Sequence, residues 1–248
     1  MIKKYALALS FLISALILVN FFSFTALSVK EQDRENAIIS RIIDGDTLEL
    51  SDGRIIRLLN INAPEKGTNG ANLSAEFLRK FENKTVELET TGTDKYKRTL
   101  ARIYSPDYLN LELVRLGFAS KFLVEESELK EFSKAEESAI KNSLGIWGKS
   151  TFFGCFDFQI DKTEEEVLII NNCPEIDING WILKDESRKT YAFNKISLGK
   201  IILHSLKGDN NLTDLFWQSG TDIWNNDRDS LYLFDSRGGI AGYESYGY

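Results

Sequence analysis

The chain has 248 residues, of which 43% are hydrophobic and 27% charged, and this composition is typical of a globular protein with one large domain or two ordinary ones. The formal net charge of -7 is uneven, because residues 37–150 carry about -1 and residues 151–248 carry about -7. An acidic second half argues against general polyanion binding by that half, and the first half is nearly neutral, so any nucleic-acid contact must come from a local patch.

The N-terminal segment has the pattern of an export signal. Lys3 and Lys4 precede an apolar run over residues 5–27, and Ala26 and Ser28 mark a candidate cleavage site. About 20 apolar residues also suffice to cross a bilayer. Residues 1–28 are therefore predicted to be a signal peptide or an N-terminal membrane anchor. Either alternative predicts an extracellular protein, secreted or anchored to the outer face of the membrane.

The first half alternates strand and helix patterns. Two β-type runs, residues 38–50 and 54–62, are separated by the turn signal Ser51-Asp52-Gly53. The next elements in chain order are a helix over residues 74–82, strands TVELETT and TLARIY, a short helix capped by Asn110 that stops at Gly117, and a helix over residues 126–143.

The second half changes character after Phe152. Short β-type runs (EVLIINN, GWILKD, KIILHS and SLYLFD) recur between Gly, Asn and Asp turns, without a helical period. This pattern is typical of an antiparallel sandwich. Outside a cell, the even cysteine count favours a disulfide between Cys155 and Cys173, with two separate buried thiols as the alternative.

The residues capable of chemistry form an acid–arginine set in the first half. The lone His204 lies in a β-type run of the second half, which leaves no Ser-His-Asp set, and there is no Walker loop. Together the set suits attack on a phosphodiester: a carboxylate can activate water, guanidinium groups can neutralise phosphoryl charge, and oxygen ligands can hold a divalent cation. Its members are Asp44, Asp46, Arg57, Glu65, Asp94 and Arg98.

Five motifs occur in one order: RIIDGDTLEL, IIRLLNINAPE, TDKYKRTLARIY, LVRLGFAS and GIW. In order and spacing they resemble the staphylococcal nuclease-type thermonucleases, over residues 38–148. The resemblance implies a five-stranded OB-fold barrel plus three helices, which we place at residues 37–150.

The resemblance assigns roles in turnover by position. Glu65 corresponds to the general base, and Arg57 and Arg98 correspond to the two arginines that contact the phosphate. The positions expected to bind substrate are Lys95 and Tyr96, beside its terminal phosphate, and Phe122, in place of a tyrosine that packs on a base.

The resemblance also implies a calcium site, with one ion that is weakly bound. Its ligands are predicted to be Asp46, Asn62, the backbone carbonyl of Ala63, and Glu65. Asn62 departs from the family, which usually has a second metal-binding aspartate there. An amide keeps an oxygen ligand but removes a negative charge, and ligand charge count tunes calcium affinity.

The second half resembles the lamin-tail domain, an immunoglobulin-like β-sandwich, over residues 153–248. The Gly180-Trp181 pair and IWNNDRDSLYLFD carry this resemblance. NNDRD is interpreted as a hairpin turn, because the Gly and distal Glu of an EF-hand are missing. Such domains are accessory, and the sequence does not indicate a partner for this one.

The export signal and the resemblance together predict an exported, calcium-assisted endonuclease of thermonuclease type that acts on DNA and RNA and, as the resemblance implies, releases 3′-phosphates. The alternative is an envelope or surface protein that binds nucleic acid or mediates adhesion, with a weakly active or inactive nuclease barrel. The Glu65, Arg57 and Arg98 set favours the enzyme, whereas Asn62 favours the alternative.

Overall fold

The structure, a computed structural model, describes residues 34–68, 70–194 and 197–248. Within these residues, Asn36–Tyr248 form one compact unit. The predicted signal peptide or anchor over residues 1–28 lies outside the described residues. In the described part of the chain, no helix is both long and apolar enough to cross a membrane.

The first half is built from short strands and three α-helices. The strands are β1 (Glu35–Ile42), β2 (Thr47–Leu50), β3 (Ile55–Leu58), β4 (Ile61–Asn62), β5 (Thr85–Thr93), β6 (Thr99–Tyr104) and β7 (Ser120–Lys121). The helices are α1 (Ala71–Arg79), α2 (Leu109–Arg115) and α3 (Leu129–Lys141).

Five of these strands close into a barrel in the order β1-β2-β3-β6-β5, and β4 pairs with β7 beside it. β3 and β6 run parallel, whereas β1–β2, β2–β3 and β5–β6 are antiparallel. Leu48 and Leu50 of β2, and Ile56 and Leu58 of β3, point into the core at every second residue, each at most 1% exposed. The predicted fold class, a five-stranded barrel with three helices, is confirmed.

Each predicted β-type run is in fact two strands. The chain turns at residues 43–46, where the amides of Ile43 and Asp44 both donate to the Thr47 carbonyl. Asn60 has a φ of 66°, and this left-handed residue separates β3 from β4. Alternating hydrophobicity continues through both turns, so it does not reveal them.

Two helix predictions were also inaccurate. α1 begins and ends three residues earlier than predicted, because Glu82 leaves the helix and its Oε1 atom accepts a hydrogen bond from the Ile42 amide at 2.9 Å. Asn110 is not a helix cap but lies inside α2. Its buried side chain instead accepts from the Ile103 amide and donates to the carbonyls of Leu59 and Ala101, which attaches α2 to the barrel.

The second half contains two four-stranded sheets, with orders β12-β11-β16-β17 and β15-β14-β9-β8, and a short β10–β13 pair. Their strands are β8 (Phe156–Asp161), β9 (Glu166–Asn171), β10 (Ile176–Asp177), β11 (Ile182–Asp185), β12 (Thr190–Ala192), β13 (Ser197–Leu198), β14 (Lys200–His204), β15 (Asp214–Phe216), β16 (Asp229–Phe234) and β17 (Ile240–Tyr246). A shared apolar core includes Trp181 and Trp224, both 3% exposed. The arrangement is consistent with the predicted immunoglobulin-like sandwich.

The barrel and the sandwich pack directly against each other. Trp147, which follows α3, is 1% exposed, and its ring centroid lies 5.1 Å from that of Tyr232 in β16. Ala139, Ile140 and Ile240 complete this buried cluster. Because the contact is apolar and closed to water, it holds the loops of the sandwich in a fixed place beside the barrel.

Cys155 and Cys173 form a disulfide with a Cα–Cα distance of 5.3 Å. Cys155 directly precedes β8 and Cys173 follows β9, so the bond joins the ends of an antiparallel pair.

We expect the double variant Cys155→Ser/Cys173→Ser to lose about 3 kcal/mol of unfolding free energy. The two cysteines are 18 residues apart, and closing a loop of this size restricts the unfolded chain by roughly that amount. Urea unfolding of the variant and of reduced and oxidised wild type measures the loss. Equal midpoints for oxidised wild type and the double variant would contradict it.

Candidate active site

The residues predicted to bind metal or substrate all line one cleft of about 930 Å³ on the barrel. Five cationic and four anionic side chains line it. The net charge of the cleft is therefore close to zero, so the local potential depends on which charges pair with each other. The predicted residues in the lining are Asp46, Arg57, Asn62, Ala63, Glu65, Lys95, Tyr96, Arg98 and Phe122.

Arg57 and Asp46 form the buried base of this cleft. Arg57 lies in β3 opposite Thr47, which places it beside Asp46 at the start of β2. The Arg57 Nη2 atom lies 3.2 Å from Asp46 Oδ2 and donates to the Ile61 carbonyl at 2.9 Å. Burial raises the pKa of Asp46 above its ordinary value, although the charge of Arg57 opposes the rise. These contacts hold the guanidinium in one position.

The Asp44-Gly45-Asp46 turn is fixed against the neighbouring chain. Asp44 Oδ1 accepts from the Asp46 amide at 3.0 Å, and Asp46 Oδ2 accepts from the Ala63 amide at 2.9 Å. A Cβ atom on Gly45 would lie 2.5 Å from the Ala63 Cβ atom. The turn therefore needs glycine, because any side chain would separate Asp46 from Ala63.

Arg98 is held by the polar loop between β5 and β6. Asp94 Oδ2 accepts from Arg98 Nε at 2.7 Å, and Asp94 Oδ1 accepts from the amides of Tyr96 and Arg98. The Arg98 side chain is 29% exposed and its guanidinium lies 5.4 Å from the Tyr96 ring centroid. The Nζ atom of Lys95 lies 5.1 Å from the centroid of the same ring. The loop thus presents an aromatic face and two cations to solvent.

Glu65 lies at the rim of the cleft, in the Pro-Glu corner that follows β4. Its carbonyl accepts from the amide and hydroxyl of Thr68, which closes the corner, while its side chain is 68% exposed. The Glu65 Oε1 atom lies 3.0 Å from Nη1 of Arg188. The predicted general base is therefore accessible to water and has a cation beside it.

Asn62 is fully engaged at the back of the cleft. Its Oδ1 atom accepts from Arg57 Nη2 at 3.1 Å, and its Nδ2 atom donates to the Glu186 carbonyl at 3.1 Å. Arginine can only donate and a carbonyl can only accept, so this amide orientation is the one that satisfies both partners. The side chain joins the barrel to the sandwich.

Arg188 is a cleft residue that the sequence interpretation missed. It lies in the hairpin turn between β11 and β12 of the sandwich, 125 residues after Ala63, and its Nη1 atom donates to the Ala63 carbonyl at 2.6 Å. A polar turn residue gives no sequence signal of such a position. The one indirect signal is Asn62, because losing a carboxylate there changes the charge balance of the site.

The predicted calcium ligands do not fit a bound cation as they are arranged. Each already accepts a hydrogen bond or ion pair, and two of them face the guanidinium of Arg188. In the described part of the chain, no group of three or more His, Cys, Asp or Glu could hold a metal. Calcium binding stays a prediction. The oxygen atoms of the predicted ligands that make these contacts are Asp46 Oδ2, Asn62 Oδ1, Ala63 O and Glu65 Oε1.

A buried carboxylate cluster supports the hairpin that carries Arg188. Burial raises the pKa of Glu186 to about 7, the nearby charge of Asp229 adds to the rise, and the Tyr248 hydroxyl, which donates to Glu186, opposes it. Burial likewise raises the pKa of Asp185 to about 6. Both acids therefore keep their protons to a higher pH in the folded protein than in the unfolded chain.

We expect the free energy of unfolding to fall between pH 4.5 and pH 7. Over this range the unfolded chain releases the Glu186 proton at its ordinary pKa of 4.5, while the folded protein keeps it up to about 7, so folding loses up to roughly 3 kcal/mol. Glu186→Gln removes this part of the slope, whereas Glu164→Gln, at an exposed site, retains it. Urea unfolding at several pH values measures it, and equal slopes in both variants would contradict it.

Comparisons with known proteins agree with the barrel. The family profile described as "Staphylococcal nuclease homologue" matches residues 55–149. An "Uncharacterized endonuclease" of Haemophilus influenzae is 33% identical over 142 residues, which cover 55% of this chain and 77% of that protein. An "Uncharacterized endonuclease" of Escherichia coli O157:H7 is 38% identical over 87 residues, which cover 33% of this chain and 57% of that protein. The chain belongs to the staphylococcal nuclease homologue family.

Proposed function

We propose that the protein is a nuclease that hydrolyses phosphodiester bonds in DNA and RNA at the barrel cleft. The observation that carries the proposal is the convergence of Arg57, Arg98 and Glu65 on one cleft. Family membership and relatives named as endonucleases support the same reading.

In this mechanism Glu65 removes a proton from a water molecule, and the water oxygen attacks phosphorus. Arg57, rigidly held, and Arg98, closer to solvent, neutralise the charge that grows on the phosphoryl oxygens. The bond from phosphorus to the 5′ oxygen breaks and that oxygen takes a proton from solvent water, leaving a 3′-phosphate and a 5′-hydroxyl. Contacts with phosphate and with stacked bases alone give no preference for a sequence or a sugar.

The aromatic and cationic side chains at the rim suit a single strand. Tyr96 is 68% exposed, and Phe122 is half-buried in the cleft wall. Base–aromatic stacking contributes about 1–3 kcal/mol per base, and Lys95 adds a charge for the backbone. We therefore expect single-stranded substrates to be cleaved faster than duplexes.

Export and the role of the second half complete the proposal. The basic start and apolar run of residues 1–28, together with the disulfide, support a protein that works outside the cytoplasm, secreted or membrane-anchored. The sandwich serves as an accessory domain of lamin-tail type. Two measurements test this assignment: the position of the mature N-terminus, and the presence of the protein in the medium or in the membrane fraction.

A second candidate is a surface protein that binds nucleic acid with little or no turnover. The specific observation that favours it is the ion pair between Arg188 and the predicted base Glu65, 3.0 Å apart. Incubating the purified protein with end-labelled single-stranded DNA and RNA, in calcium and in chelator, separates the two. Cleavage to 3′-phosphate fragments supports the nuclease, and binding without cleavage in either condition supports the second candidate.

A further inference from the structure

The hairpin between β11 and β12 inserts a positive charge into the cleft at a defined point. One nitrogen of Arg188 contacts both the Ala63 carbonyl, at 2.6 Å, and Glu65 Oε1, at 3.0 Å. Both atoms belong to residues that the resemblance predicts to bind calcium. The guanidinium therefore occupies the side of the site that a cation would need.

The turn that carries Arg188 is rigid. Asp185 is 2% exposed, and its carboxylate accepts from the Ser187 hydroxyl at 2.5 Å and from the Lys189 amide at 2.6 Å. Arg188 itself has a φ of 73°, a left-handed conformation that costs free energy for a residue with a side chain. Surrounding contacts that hold an arginine in this conformation fix the direction of its side chain.

Asn62 provides a second connection between the hairpin and the cleft. Its Nδ2 atom donates to the Glu186 carbonyl, two residues before Arg188. A carboxylate at position 62 would have no proton to donate and would face that carbonyl oxygen. The amide at position 62 and the arginine at position 188 therefore belong to the same arrangement.

The formal charges of the two arrangements are equal. A site with Asp46, a second aspartate at position 62, Glu65 and a divalent cation would carry a formal charge of -1. Here Asp46, Glu65 and Arg188 also sum to -1, because Asn62 carries no charge and a guanidinium stays protonated. One fewer negative charge is thus matched by one fewer positive charge.

We propose that Arg188 is the fixed cation of this active site, so that hydrolysis proceeds without a divalent metal ion. The inference rests on the proposed nuclease function. The guanidinium orients Glu65 from one side and keeps further donors for a phosphoryl oxygen, a geometry that arginine suits better than lysine.

The test compares wild type with Arg188→Ala, Arg188→Lys and Arg237→Ala, the last an exposed arginine of the same domain outside this cleft. Hydrolysis of single-stranded DNA is measured in EDTA and in millimolar calcium, and calcium-induced shifts of the melting temperature report metal binding independently. We expect wild type and Arg237→Ala to retain their rates in EDTA and to show no calcium shift.

Arg188→Ala should lose about 10²-fold or more of the EDTA rate, and calcium should raise its melting temperature, because Ala63 and Glu65 are then open to the ion. Arg188→Lys keeps the charge and should retain part of the EDTA rate, which separates charge loss from misfolding. A wild type that requires calcium, with a calcium shift equal to that of Arg188→Ala, overturns the inference and leaves the nuclease standing. A wild type inactive in every condition removes the proposed function and this inference together.

Discussion

We expect the replacement of Glu65 by Gln to lower the rate of phosphodiester hydrolysis by about 10²- to 10⁴-fold, the usual contribution of a general base. Glutamine has nearly the same shape but cannot take a proton from water. The Glu65 side chain is 68% exposed, so losing its ion pair with Arg188 costs stability little. The kcat on single-stranded DNA is the measurement, and substrate affinity should change much less.

The matched control is Glu164→Gln, an exposed carboxylate of the sandwich outside the cleft lining, which should keep the wild-type rate. Arg98→Ala is a second test of the mechanism, because it removes a charge expected to face the phosphate without emptying a buried site. It should lower the hydrolysis rate by roughly 10²- to 10³-fold. Arg57→Ala is less informative, since it leaves Asp46 buried without its cation. A Glu65→Gln rate within a few-fold of wild type would remove Glu65 from the mechanism.

The strands of the barrel were predictable from local pattern, whereas their closure into a five-stranded barrel was implied by the resemblance to the thermonucleases. Leu48, Leu50, Ile56 and Leu58 alternate with less buried residues, and only a sheet with one face inward fits that period. The resemblance also assigned Arg57, Arg98 and Glu65 to one site, and in the structure all three line one cleft.

The errors come from contacts between distant residues. α1 ends early because Glu82 bonds to Ile42, 40 residues before it, and no local propensity encodes that contact. Asn110 resembles a cap, yet its side-chain amide donates to the carbonyls of Leu59, just after β3, and of Ala101 in β6.

The role of Arg188 was missed for the same reason. It reaches Ala63 only because the apolar cluster around Trp147 and Tyr232 sets the sandwich against the barrel. The position of a turn residue relative to another domain depends on that packing as a whole, and neither hydrophobic period nor turn chemistry reports it.

The polar part of the same interface predicts the second large effect: Lys121→Met lowers the free energy of unfolding by about 3–5 kcal/mol. Lys121 in β7 is 3% exposed, and its Nζ atom lies 2.5 Å from Glu136 Oε2 of α3 and 2.8 Å from the Ser230 hydroxyl of the sandwich. Methionine fills the space of the lysine stem but leaves the Glu136 carboxylate charged, buried and without its cation, and an unpaired buried charge costs about that much.

Urea unfolding of three variants tests this origin of the loss. Lys121→Met/Glu136→Gln should recover part of the stability, because the glutamine amide is neutral: its Oε1 atom can still accept from the Lys121 amide, and its Nε2 atom can donate to the Tyr232 hydroxyl oxygen. Lys130→Met, at an exposed position of α3, should change the free energy by no more than about 0.5 kcal/mol. If the double variant is as unstable as Lys121→Met alone, the stranded charge is not the cause. If Lys121→Met costs less than about 1 kcal/mol, the buried pair does not join the two halves.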